Sequence, residues 1–197
     1  MTQKGVHGVV VPAAISLLVI GLMQYLNQIV QWVRTNVFDE LYPESLFANG
    51  FFKGLFTWSS AIYSILLLTA AILMIVYCKR KPTGIIGGSL LILNIIINVV
   101  WTILTPILLR NCDWETVFFI SRIENAVASV IYLAAITLIA VSYRHGGMIT
   151  MAILVSVFRI ALLFVPYAEW YYWVVYFHEF LFSLIYLFMW AKQAKLS

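Results

Sequence analysis

Six long apolar runs account for most of this chain, and they constrain its fold more than any other feature. About 20 apolar residues cross the hydrocarbon core of a bilayer as an α-helix. Charged residues make up only 10% of the 197 residues, whereas a soluble domain carries about 25%. The sequence therefore predicts an all-α integral membrane protein, a six-helix transmembrane bundle that forms a single domain over residues 1–197. The predicted helices span about 9–33, 55–78, 84–109, 117–143, 147–166 and 168–191.

The charges between the runs predict the orientation of the bundle. Lysine and arginine collect in cytoplasmic loops of membrane proteins, and here they collect at one end of the predicted bundle. We therefore expect both termini to be cytoplasmic and the membrane to be the plasma membrane, although Arg34, Lys53 and Arg110 fall on the opposite side. The basic end carries Lys4, Lys79, Arg80, Lys81, Arg144, Lys192 and Lys195, and the acidic end carries Asp39, Glu40, Glu44, Asp113, Glu115 and Glu169.

Two alternatives concern the number of spans. In a five-helix bundle, the run at 147–166 would lie on the membrane surface instead of crossing it. The first run is long and has no small-residue cleavage site, so we expect it to be a retained helix rather than a signal peptide.

Four charged residues lie inside the apolar runs, all in the half of the membrane away from the termini. They are Arg122, Glu124, Arg159 and Glu179. A charge at the bilayer centre costs about 2.5–3.5 kcal/mol even on the insertion scale, so such residues face a partner, a cavity or a ligand. Arg122 and Glu124 are two positions apart on one helix and therefore point to different faces. These charges are the strongest indication of a functional site.

Uncharged polar side chains are concentrated in the same half of the membrane. Gln24 and Asn27 share a stripe of the first helix, and Tyr176 and Glu179 share a stripe of the last. Because such groups must turn away from lipid, we expect helices 1, 3, 4, 5 and 6 to enclose a polar and aromatic cavity. It would open to the outside and be closed by a more apolar inner half. The candidate ligand-binding residues are Arg159, Glu179, Arg122, Glu124, His178, Asn98, Trp101, Asn27, Gln24, Tyr176, Tyr172, Trp58 and Tyr63.

Each of these features also has a structural interpretation. The charges can be salt bridges that specify helix register, as buried ion pairs do, and the amides can form interhelical hydrogen bonds of about 0.6 kcal/mol each. The aromatic residues of 167–173 can form an interfacial belt. This alternative predicts a structural subunit of a larger membrane complex, with Arg159 and Glu179 directly paired and dry. A binding protein would instead place them in a water-accessible cavity.

Enzyme and metal chemistry have little support in the sequence. It contains no GxSxG, HExxH or phosphate-binding loop. The two cysteines, Cys78 and Cys112, fall near opposite membrane faces and have no metal-binding spacing. We expect no cofactor, no metal and no nucleic-acid partner. An intramembrane enzyme that uses Glu179 and His178 as an acid–base pair stays open as an alternative.

Three short aromatic stretches, at 58–63, 98–101 and 166–170, follow one another along the chain. They resemble, in the same order, the W-x-x-L-Y (with one extra residue here), L-N-x-x-W and P-Y-x-x-W helices of the translocator protein family, also called tryptophan-rich sensory proteins. The resemblance implies a bundle that binds porphyrins, sterols or similar amphipathic molecules. The family has five helices and a tryptophan-rich loop that this chain lacks. The residues that the resemblance places near the ligand are Trp58, Tyr63, Asn98 and Trp101.

Taken together, these patterns favour a non-enzymatic membrane solute-binding or solute-transport protein. Arg159 and Arg122 would attract an anionic group, and Glu179 and Glu124 would balance or engage a cationic one. Aromatic side chains would hold an apolar body, so a small amphipathic or zwitterionic ligand fits such a lining. Besides the lipid bilayer and this ligand, the expected partners are further copies of the chain or the other subunits of a larger membrane complex.

Overall fold

The computed structural model describes residues 4–41, 43–78, 81–164 and 169–196, and these residues form six long α-helices. Each helix is long and apolar enough to cross a membrane, and no strand occurs in these ranges. The predicted all-α six-helix architecture is thereby confirmed, and the protein is an integral membrane protein. The helices are α1 (Lys4–Val37), α2 (Gly50–Tyr77), α3 (Pro82–Asn111), α4 (Trp114–Tyr143), α5 (Gly146–Phe164) and α6 (Glu169–Leu196), and a 3-10 turn (Leu46–Ala48) lies between α1 and α2.

Two of the helices, α2 and α4, begin at residues whose side chains cap them. Asn49 caps α2 by accepting a hydrogen bond from the backbone N–H of Phe51, and Asp113 caps α4 by accepting one from Thr116. Arg144 ends α4 in the left-handed conformation, with φ 55°. The 34 residues of α1 extend over about 51 Å, which exceeds the hydrocarbon core of about 30 Å. Its ends therefore enter the headgroup region, and hydropathy alone predicts only its middle.

Several predicted features fall on residues that the structure does not describe. They belong to the basic end and to the aromatic belt, and for those that lie inside a helix only the backbone is described. The residues concerned are Lys4, Lys79, Arg80, Pro166, Tyr167, Glu169, Trp170, Tyr171 and Tyr172.

The six helices form a closed ring. Each helix packs against its neighbours in the chain, and α6 packs against α1. The helix α5 packs between α4 and α6, so the run at 147–166 is a member of the bundle. Neighbours in sequence become neighbours in space because short connections favour antiparallel packing. A ring of this kind has an interior that side chains must fill or leave as a cavity.

The interior is filled in the half of the ring that holds the beginning of α1 and the end of α6. We call this the inner end, following the predicted orientation, and the opposite end the outer end. The buried Tyr186 donates a hydrogen bond to the carbonyl of Ile136 (2.9 Å), and the indole N–H of Trp190 donates to the hydroxyl of Tyr143 (3.3 Å). Both bonds connect α6 with α4 across the interior. Small residues pack around them, including Ala13, Ala14, Ala70, Ala71, Ala135, Ala140, Ala152, Ala191 and Ala194.

Two glycines let α3 approach both of its neighbours at the inner end. A Cβ atom on Gly88 would lie 2.9 Å from the carbonyl oxygen of Ala71 on α2, and one on Gly87 would lie 3.0 Å from that of Ala135 on α4. Both distances are shorter than an ordinary van der Waals contact. Close helix packing at small residues is typical of membrane bundles and closes the inner half of the ring.

At the outer end, the linker between α1 and α2 is fastened to α1. The side-chain oxygen of Asn27 accepts hydrogen bonds from the hydroxyl of Ser45 (2.9 Å) and the backbone N–H of Leu46 (2.7 Å). Arg34 forms an ion pair with Glu40 at 2.7 Å. These contacts hold the linker against α1, and the 3-10 turn packs against both α1 and α2.

Candidate functional site

A cavity of about 360 Å³ lies inside the ring, outward of the packed inner half. All six helices contribute to its lining, including α2, which provides Tyr63, Ser64 and Leu67. The predicted enclosure comprised helices 1, 3, 4, 5 and 6, although Tyr63 of α2 was among the candidate residues. Tyr132 is the contribution of α4, and Arg159 is that of α5. The cavity therefore lies on the axis of the ring, where the interior is no longer filled by side chains from opposite helices.

An ion pair between α5 and α6 dominates the chemistry of the cavity. The Nε atom of Arg159 lies 3.3 Å from Oε1 of Glu179. The guanidinium carbon lies 4.3 Å from the centre of the Tyr132 ring, within the range of a cation–π contact. The hydroxyl of Ser183 lies 3.5 Å from the same carboxylate oxygen. One side of the guanidinium is thus held by the protein.

The other side of the guanidinium is turned to the cavity. The side chain of Arg159 is 36% exposed, whereas that of Glu179 is 15% exposed. Within the described ranges, the terminal nitrogens of Arg159 make no hydrogen bond to the protein. A guanidinium presents its N–H groups in a planar fork that matches a carboxylate or a phosphate. The arrangement can therefore receive an anionic group next to a carboxylate that stays paired.

Amides and hydroxyls form the remaining polar wall. The hydroxyl of Tyr176 on α6 donates a hydrogen bond to the side-chain oxygen of Gln24 on α1. On α3, the amide of Asn98 donates to the backbone oxygen of Asn94 (2.8 Å), and Asn94 in turn donates to the carbonyl of Ala128 on α4 (2.7 Å). These bonds fix the wall, because each polar group already has a partner on its own or a neighbouring helix.

Six of the candidate residues come together in this cavity. They belong to five different helices, and each lies in the outer half of its helix or near the middle of that helix. The six are Gln24, Tyr63, Asn98, Arg159, Tyr176 and Glu179.

Two of the four intramembrane charges lie elsewhere. Arg122 is exposed and reaches the carbonyl of Leu163 at 3.4 Å and the ring of Phe118 at 6.0 Å. Glu124 has a buried carboxylate oxygen that makes no hydrogen bond to the described residues, and it does not line the cavity. The four charges therefore do not meet at one place. On α4, the residue that lines the cavity is Tyr132.

Four further candidates also do not line the cavity. His178 stacks on Phe158 with ring centres 5.5 Å apart, and Asn27 is engaged by the linker. Trp58 is 70% exposed on the outside of α2, and Trp101 lies half-buried on α3. Trp58 in particular sits at the predicted depth but on an exposed helix face, and depth alone does not reveal this. The side chain of Tyr172 lies outside the described part of the chain.

Sequence reasoning missed Tyr132, Ser183 and Asn94 as members of the site. A signal was present for each of them. Tyr132 continues the stripe of Ser129 on α4 at a spacing of three, Ser183 follows Glu179 at a spacing of four, and Asn94 precedes Asn98 at a spacing of four. A tyrosine in an apolar run usually belongs to the packed core, so the hydroxyl of Tyr132 did not mark it as a candidate binding residue.

The described residues contain no group of three His, Cys, Asp or Glu side chains that could hold a metal ion. Cys78 is buried near the inner end, Cys112 is half-buried at the outer end, and both are free thiols. The site thus consists of an ion pair, amides, hydroxyls and aromatic rings. Comparison of the chain with protein-family models, with curated proteins and with solved structures finds no match.

Proposed function

We propose that this protein binds a small amphipathic or zwitterionic solute in the cavity at Arg159 and Glu179, and transports it across the plasma membrane. The observation that carries the proposal is that the one intramembrane ion pair among the described residues lies on the wall of a cavity. Intramembrane charges that face a cavity are typical of substrate pathways.

The size and lining of the cavity define the ligand class. A volume of about 360 Å³ falls within the usual range of ligand pockets, about 300–1,000 Å³. Arg159 offers its terminal N–H groups to an anionic group, and Glu179 accepts from a cationic one beside it. Leu17, Ile20 and Phe180 line the apolar side and would cover the hydrocarbon part of the molecule.

The closed inner half supports a carrier in its outward-facing state. The glycine contacts of α3 and the bonds from α6 to α4 seal the inner end. Transport would require this seal to loosen while the outer half closes around the ligand, as in alternating access.

A thermal-shift screen tests the proposal. The full chain in detergent is heated with a panel of amino acids, betaines and short-chain carboxylates such as butanoate. A ligand present at 1,000 times its Kd stabilises the folded state by about 4 kcal/mol, which raises Tm by several degrees.

Arg122→Gln is the matched control for Arg159→Gln, because Arg122 is also an arginine of the outer half but does not line the cavity. We expect the panel members that stabilise the natural chain to stabilise Arg122→Gln equally and to have no effect on Arg159→Gln. If no member shifts Tm, or if the shift survives in Arg159→Gln, the proposal is wrong.

A second candidate function is that of a structural subunit in a larger membrane complex. Its support is the direct contact between Arg159 and Glu179 at 3.3 Å, together with the exposed Arg122 on the outer face of the ring. In that case, the double variant with glutamine at both 159 and 179 still supports the activity of the larger complex in cells. A charge reversal at Arg122, in contrast, disrupts co-purification of the partner subunits. A solute carrier gives the opposite result in both experiments.

A further inference from the structure

The outer halves of α2 and α3 meet at a seam without a bridge. Among the described residues, no hydrogen bond, ion pair or ring contact joins the outer halves of these two helices. Three other pairs of neighbours are connected in the outer half. Arg122 joins α4 and α5 at Leu163, Phe158 and His178 join α5 and α6, and Tyr176 and Gln24 join α6 and α1. Asn94 joins α3 and α4 near the middle of the bundle, and Asn27 binds the linker that precedes α2.

The faces of α3 show how far this seam is open. Gly88 lies against Ala71 of α2 at the inner end, so the stripe through Gly88 is the one that faces α2. Ile95, Val99 and Thr102 follow on that stripe at helical spacings, and all three line the cavity. Yet Val99 is 48% exposed and Thr102 is exposed as well. Residues between two packed helices would be buried, so α2 and α3 part in the outer half.

The depth of this opening determines what it faces. Val99 lies 12 positions before the last residue of α3, Asn111, or about 18 Å along the helix axis. Headgroups occupy only about 5–8 Å on each side of the hydrocarbon core. The seam therefore opens into the acyl chains of the outer leaflet rather than into water.

We propose that the ligand is a single-chain amphiphile of this leaflet that reaches the cavity sideways, through the seam between α2 and α3. Its anionic head, a carboxylate or a phosphate, binds the terminal nitrogens of Arg159, and its chain lies in the seam against Val99. This inference rests on the function proposed above and specifies its substrate class.

The cavity volume supports a molecule that extends beyond the cavity. At about 30 Å³ for each water-sized group, 360 Å³ holds about 12 such groups. This is enough for a head group and the first few carbons. A chain of 12 or more carbons must leave the cavity, and the seam gives it a lateral path.

A photoaffinity experiment on the full chain tests the proposal. The protein is placed in nanodiscs of phosphatidylcholine with a hexadecanoate that carries a diazirine in the middle of its chain. After illumination, the labelled residues are mapped by mass spectrometry. We expect saturable labelling within 57–64 of α2 and 95–102 of α3, reduced at least fivefold by Arg159→Gln.

Two tryptophan substitutions on α3 form a matched pair. Val99→Trp fills the seam and should reduce the labelling at least fivefold, whereas Val100→Trp should leave it unchanged, because Val100 is similarly exposed (47%) but does not line the cavity. Thr102→Trp provides a second block of the seam if Val99→Trp does not fold. Labelling that does not saturate, or that persists with both blocking variants, overturns the proposal.

Competitors identify the head group and separate this proposal from the function on which it rests. Unlabelled hexadecanoate or hexadecyl phosphate should compete, and the better competitor identifies the head group, whereas equal competition by hexadecyltrimethylammonium overturns an anionic site. Butanoate carries the head group without a chain long enough to reach the seam. If butanoate shifts Tm in an Arg159-dependent manner but the seam is not labelled, lateral access is wrong and the solute site stands. If neither is seen, both fail.

Discussion

The contact between Arg159 and Glu179 can be measured by a double-mutant cycle in which each residue is replaced by glutamine, singly and together. At 3.3 Å, two unit charges attract by about 1.3 kcal/mol in a water-like medium and by about 5 kcal/mol at an effective permittivity of 20. The pair lies between these limits, because Glu179 is 15% exposed and Arg159 is 36% exposed to the cavity. Desolvation offsets much of the attraction. We expect a coupling energy of about 1–2 kcal/mol, near the upper end for polar pairs between membrane helices.

The single variants should differ in a defined way. Arg159→Gln leaves the carboxylate of Glu179 without its cation, and breaking a fully buried pair costs about 3–5 kcal/mol. Since the cavity screens this pair, we expect a loss of about 2–3 kcal/mol in the free energy of unfolding. Arg122→Gln changes an exposed side chain and should stay within about 0.5 kcal/mol.

The assay is reversible unfolding in mixed detergent micelles at neutral pH, followed by tryptophan fluorescence. Additive single-variant losses, with a coupling energy below about 0.3 kcal/mol, would show that the two side chains do not act as partners. Equal losses in the free energy of unfolding for Arg159→Gln and Arg122→Gln would show that an arginine in the outer half contributes to stability regardless of whether it lines the cavity. Either result refutes the reasoning from the cavity geometry.

Three further predictions concern the packing, the orientation and a helix cap. Gly88→Ala should lower the free energy of unfolding in the same assay by about 1–3 kcal/mol through overpacking against α2. Gly54→Ala, whose Cβ would meet nothing within 4 Å, should leave it unchanged or raise it by up to about 1 kcal/mol; equal losses would contradict the close contact. Cys112 should react with a membrane-impermeant maleimide added to intact cells, whereas Cys78 should not. Cys78 is predicted to face the cytoplasm, and burial raises the pKa of its thiol, which lowers the thiolate fraction. Labelling of Cys78 alone would reverse the predicted orientation. Hydrogen bonds from Thr116, in the first turn of α4, lower the pKa of Asp113. The Asp113 carboxylate should therefore stabilise that turn fully above the unfolded pKa of about 3.9. This stabilisation should be lost as the pH falls through the lower pKa of the folded state. Hydrogen exchange of the first turn of α4 between pH 6 and 2 measures this, and an identical profile for Asp113→Asn would contradict it.

The number of spans and the depth of the polar residues could be predicted from the sequence. An isolated apolar run of about 20 residues has few options in a lipid bilayer, because its backbone must satisfy its own hydrogen bonds. For the same reason, the sequence alone identifies Arg159 and Glu179 as residues that turn away from lipid. These conclusions depend only on local composition and helical periodicity.

Which polar residues share one cavity was decided by the tertiary structure alone. Arg122 and Arg159 look equivalent in sequence, yet only Arg159 faces the ring interior, because periodicity gives the angle between residues on one helix and not the rotation of that helix in the bundle. Asn27 and Gln24 share a stripe, but the linker binds Asn27 and leaves Gln24 to the cavity. The packing of α6 against α1 and the parting of α2 from α3 arise from contacts between residues that are distant in the sequence. No local pattern specifies such contacts, since they depend on how all six helices fill the interior together.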